Sequence, residues 1–216
     1  MKFFIFLFLF FCISTPLFSL ENPEDVVQAM DSFITENVPK NCIEERKELC
    51  RVLEAFKKAE LPSLKDFKDG NYVLAGNYFS GDINFKHTYY YTKTVGVLFI
   101  KKEKDALKVQ FAEPRAENEK EEKDTQDFIN LLRQKKSPEE NSLYKYLNSI
   151  KAEQEYLNCE PTKTAYFCSA TPKHQGFILI RKQNNSLIVF IFGQVPFKPK
   201  SFDTVPGFFI SEMYGL

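Results

Sequence analysis

Apolar positions along this chain switch between helix spacing and strand alternation. Val26, Val27, Met30, Phe33 and Ile34 recur three and four apart, the signature of one helix face. Asn22-Pro23-Glu24-Asp25 precedes them with a capping residue, a proline at the first helical position and two acids in the first turn. After Pro39, a second helix is expected over 41–58, with Ile43, Leu49, Cys50, Leu53 and Phe56 on its apolar face. Pro62 ends that pattern and Asp69-Gly70-Asn71 marks a turn. Strand-like text follows over 72–79, 85–94, 97–101 and 106–111.

Helix spacing returns over 117–136, where only the second half has an apolar face, through Phe128, Ile129, Leu131 and Leu132. Ser137-Pro138-Glu139-Glu140 reads as a capping box ahead of Leu143, Tyr144, Leu147 and Ile150. Strands are expected again over 164–170, 176–181, 187–192 and 208–213.

The order helix, helix, strands therefore occurs twice, and one phrase recurs with it. Residues 96–111 read GVLFIKKEKDALKVQF and residues 176–191 read GFILIRKQNNSLIVFI. The fold class this implies is α+β. Two helix-helix-β-hairpin units, 20–115 and 116–216, would arise by internal duplication and form an antiparallel sheet covered by helices. Neither unit alone offers much core, so the two are expected to share one.

The copies differ in one respect. Leu107, Val109 and Phe111 match Leu187, Val189 and Ile191, which alternation puts on one face. The opposite face carries Lys108 and Gln110 in the first copy, but Ile188 and Phe190, followed by Phe192, in the second. Either helices cover that second face, or it is an apolar patch for a partner. The stretch FKHTYYYTK, 85–93, offers a further contact surface, because tyrosine joins an apolar ring to a hydrogen-bonding hydroxyl. The candidate binding residues are thus His87, Tyr89, Tyr90, Tyr91, Ile188 and Phe190.

Composition places these elements in a compartment. Lys2, the apolar run 3–13, Pro16 and Ser19 have the layout of a signal peptide, 1–19, cleaved near Ser19. Phe10 and Phe11 before Cys12 argue against lipidation at that cysteine. No second apolar stretch is long enough to span a membrane. Cys42, Cys50, Cys159 and Cys168 form an even set, which in an exported chain favours disulfides. A helix beginning at Asn41 would hold Cys42 and Cys50 roughly 12 Å apart, beyond the ~7 Å reach of a disulfide. Either that helix begins later, or these cysteines pair with Cys159 and Cys168; a local Cys159–Cys168 bridge is the competing scheme.

Chemistry is sparse. Lysine plus arginine and aspartate plus glutamate each number 29, and their interleaving leaves no basic stripe for nucleic acid. The two histidines, His87 and His174, lack metal-ligand spacing, as do the cysteines, so neither metal nor cofactor is expected. Ser80-Gly81-Asp82 reads as a turn, not a nucleophile elbow. With no catalytic residue assigned, the expectation is a periplasmic or secreted, non-catalytic protein that binds another protein or a cell-envelope component. The alternative is an envelope hydrolase whose carboxylates converge only in the fold.

Overall fold

The strand text does not stop at two hairpins. In the computed structural model, which describes residues 22–37, 47–81, 88–112, 119–134, 141–152, 156–169, 176–196 and 204–215, eight strands form a continuous antiparallel meander. They are β1 (Gly70–Gly81), β2 (Thr88–Glu103), β3 (Ala106–Ala112), β4 (Leu157–Pro161), β5 (Tyr166–Ser169), β6 (Gly176–Gln183), β7 (Ser186–Pro196) and β8 (Thr204–Gly215). The meander closes: β8 pairs with β1 from Tyr72↔Gly215 to Ser80↔Gly207. Four helices accompany it among the described residues, α1 (Pro23–Asn37), α2 (Lys47–Lys57), α3 (Glu119–Arg133) and α4 (Ser142–Ser149).

This corrects the α+β expectation. The molecule is a closed eight-stranded antiparallel β-barrel with few helices, not a sheet covered by them. A sheet with one apolar face must bury it, and closing the sheet on itself does so while leaving no unpaired edge. Leu74, Leu98, Leu107, Val109, Ile180 and Val189 from five strands accordingly share one buried interior cluster. Here the interior is apolar, and β4 presents exposed Asn158 and Glu160.

The two matched phrases are the β2–β3 and β6–β7 hairpins. Each turns through two residues, Lys104-Asp105 and Asn184-Asn185. Lys104 and Asn184 take φ of 48° and 55°, the left-handed conformation that tight hairpins between twisted strands demand. These turns mark the lower end of the barrel. The segments that leave the opposite, upper end, 82–87, 113–118, 170–175 and 197–203, lie outside the described residues.

The lower end is plugged. A short 3-10 turn, Leu64–Asp66, begins in a capping box in which the Ser63 amide donates to Asp66 Oδ2 at 2.8 Å. It delivers Phe67 into the interior, 1% exposed and edge-on to Tyr166. Glu60 and Lys182 exchange two backbone hydrogen bonds, 2.9 and 2.8 Å, and Lys182 Nζ donates to Asp66 Oδ1 at 2.6 Å. The lysine holds the Asp66 carboxyl below its ordinary range.

The helices divide the outer wall. Asn22 Oδ1 accepts from the Glu24 amide at 3.1 Å, so the expected cap starts α1. Its buried residues Val27, Met30 and Ile34 pack with Leu49, Val52, Leu53 and Phe56 of α2 onto Leu179, Ile188, Phe190 and Ile210. Phe128, Ile129 and Leu132 of α3 and Leu147 of α4 pack onto Val73, Ala75, Val95, Val97 and Phe99. Each helix pair thus covers strands of the opposite half of the sequence. α4 is capped by Asn141, whose Oδ1 accepts from Leu143 and Tyr144; residues 137–140 lie outside the described residues.

Candidate functional site

Alternation along the closed register assigns each described strand position to the interior or the exterior. On the exterior of β6, Phe177 and Leu179 are followed by Arg181, a charge in an apolar series. Arg181 is 1% exposed. Its Nη1 and Nη2 donate to both carboxylate oxygens of Asp31 on α1 at 2.7 and 2.8 Å. Nη2 also donates to Thr164 Oγ1 at 2.8 Å, and the guanidinium lies 4.7 Å from the centre of the Phe56 ring on α2. A buried guanidinium needs this degree of pairing, so the cluster reads as a fastening of α1 and α2 to the barrel wall.

A second polar group joins the two helix pairs. Arg133 of α3 ion-pairs with Glu48 of α2, and Arg133 also reaches Tyr214 on β8. Tyr214 donates to Glu212 Oε2 at 2.8 Å. Burial, and then the Glu212 charge, raise the Tyr214 phenol well above its usual value. Two carboxylates therefore meet in this network, one held by an arginine and the other by a phenol.

The interior is different at its two ends. Leu74, Leu98, Leu107, Val109, Cys168, Ile180 and Val189, in the lower and middle layers, are completely buried. Toward the upper end, inward-facing Phe111, Leu157 and Ile191 are only partly buried. Phe111 stacks on Phe209 with ring centres 6.0 Å apart. It lies directly over Gly96, where an added Cβ would come within 2.7 Å of the Phe111 ring. Gly176, Gly193 and Gly207 occupy paired inward positions on β6, β7 and β8, so no side chain lines the wall there. Among the described residues, then, the partly exposed apolar side chains Phe111, Leu157 and Ile191 gather toward the upper end, beside the Phe111–Phe209 stack.

The sequence-derived candidates scatter over this frame. Ile188 and Phe190 face outward and are buried beneath α1 and α2, so the greasy second face of the hairpin is covered by helices. His87 lies outside the described residues; Tyr89, Tyr90 and Tyr91 belong to the upper part of β2, where Tyr90 pairs with Ser80 and Tyr91 with Phe79. Cys159 and Cys168 are directly paired on β4 and β5 and form a disulfide. Cys50 is also disulfide-bonded. Cys42 and the expected helix start at Asn41 lie outside the described residues, and α2 is described from Lys47. No described helix is long and apolar enough to cross a membrane. Among the described residues no three histidine, cysteine or acidic side chains gather as a metal site would require.

Arg181, Asp31 and Phe111 were not singled out from the sequence. A signal existed for Arg181, because a charge interrupts the exterior alternation of an otherwise apolar strand. Phe111 carried none, since only closure gives it an end of the barrel to occupy. No family model, no curated protein and no solved structure matches this chain.

Proposed function

We propose that this chain is an exported, non-catalytic binding protein, and that it holds a small apolar ligand at the upper mouth of the barrel. The observation that carries the reading is the incomplete burial of three inward apolar side chains. Most described interior residues are buried, whereas Phe111, Leu157 and Ile191, toward the upper end, keep partial solvent contact. Apolar surface left wet inside a concave wall is the usual material of a small-molecule site. Export is supported by the oxidised Cys159–Cys168 and Cys50, since disulfides persist in oxidising compartments, and by the N-terminal sequence. The Tyr89–Tyr91 stretch belongs to the same end of the barrel by its position on β2.

Titration with the fluorescent apolar probe N-phenyl-1-naphthylamine tests this. The full chain should bind it saturably, and Phe111→Gln or Ile191→Gln should weaken binding by roughly 10–100-fold, equivalent to losing one buried apolar side chain. Unchanged affinity in both variants, with far-UV circular dichroism intact, would remove the mouth as the site.

A further inference from the structure

The barrel wall is uneven in how firmly its strands are held. β4 is the weak place. Of its five residues only Cys159 is buried. Asn158 and Glu160 are exposed on the outside, and exposed Pro161 has no amide to donate. Its register with β3 extends over Leu107, Lys108 and Val109 alone. So few apolar contacts mark a segment of low local stability.

β5 and the turn before it are fixed by comparison. Tyr166 is buried and packs edge-on against the Phe67 plug. Thr164 accepts from Arg181, the Lys163 amide donates to Glu24 of α1, and Ala165 is completely buried. The Cys159–Cys168 bond joins the one buried residue of the loose strand to this anchored one.

We propose that β4 is a side gate in the barrel wall and that the Cys159–Cys168 disulfide is its bolt. When the bond is absent, β4 is released from the anchored β5, separates from β3 over its three-residue register and opens the interior laterally, beside Val109, Phe111 and Leu157. This adds regulation to the mouth described above and rests on that reading for its use in ligand entry, whereas the gate itself is independent of it. Reduction requires an external dithiol. The dithiol gives two electrons and two protons, leaves as its own disulfide, and Cys159 and Cys168 become thiols.

Amide hydrogen exchange of the full chain tests the gate in three forms: oxidised, reduced with dithiothreitol, and carrying Cys159→Ala with Cys168→Ala. The amides of Asn158 and Cys159 should exchange about thirtyfold faster or more without the bond, in line with the usual contribution of a disulfide. Amides of β1, β2, β7 and β8 should keep their protection, and N-phenyl-1-naphthylamine should enter faster. Unchanged protection in β4 overturns the proposal. Equal loss in every strand also overturns it, because the bond would then be a staple of the whole fold. If the double variant does not fold, Cys50→Ala, compared oxidised and reduced, supplies the readout, because the Cys50 bond is already absent from both forms and only Cys159–Cys168 changes. Faster β4 exchange with no probe binding in any form supports the gate and overturns the mouth.

Discussion

Removing Asp31 should cost this protein more than removing its partner Arg181, although the two form a single ion pair. The reason is the unequal burial of the partners: the Arg181 side chain is 1% exposed and that of Asp31 34%. Asp31→Ala leaves a guanidinium with only Thr164 Oγ1 and the Phe56 carbonyl as protein acceptors, at 2.8 and 3.3 Å, deep in the helix–barrel seam. Breaking a buried pair in this direction costs about 3–5 kcal/mol. Arg181→Met instead leaves a carboxylate that hydrates. What is lost is the stacking on Phe56, about 0.5–2 kcal/mol, and the hydrogen bonds to Thr164 and the Phe56 carbonyl, about 1 kcal/mol each, while methionine refills much of the space. The expected order is therefore Asp31→Ala above Arg181→Met, with Asp31→Leu plus Arg181→Met close to the natural chain. Urea unfolding followed by circular dichroism, with equal slopes in all variants, measures it. A cost for Asp31→Ala below that of Arg181→Met would refute the burial argument.

Two further outcomes follow from the interior and its plug. Gly96→Ala should destabilise by about 1–3 kcal/mol because the new methyl overlaps the Phe111 ring, and Phe111→Leu in the same chain should recover part of the loss in a thermal melt. Asp66 is held below its ordinary value of 3.8 chiefly by Lys182, so its contribution is complete above that value and is lost as pH falls through the lowered one. Lys182→Met should flatten the pH dependence of stability below about pH 4, read by unfolding at several acidic pH values; an unchanged profile would show that the plug does not depend on this pair.

Much of the local structure was legible because it depends on neighbours in sequence. Asn22 and Pro23 announced α1, the alternation of Leu187, Val189 and Ile191 announced β7, and the two hairpins lie where the repeated phrases put them. β4 escaped notice because Leu157-Asn158-Cys159-Glu160-Pro161 has one buried residue and ends in proline, leaving almost no alternation to read. The 85–94 and 97–101 segments read as two strands, yet β2 runs unbroken from Thr88 to Glu103, since its pairing with β1 continues through Gly96, opposite Leu74. The double-sided apolar character of Ile188 and Phe190 was visible; which of its two explanations holds was not, because α1 and α2 are more than a hundred residues away.

What the amino-acid order determined alone is the set of elements: each helix cap, each turn and each apolar face is fixed by residues within a few positions of one another. Tertiary structure alone decided that β8 returns to β1, that each helix pair crosses to the other half of the chain, and that Arg181 meets Asp31. Those outcomes depend on where apolar faces find cover in space. A sheet with one greasy side can be sheltered by helices or by its own curvature, and local spacing is the same in both cases.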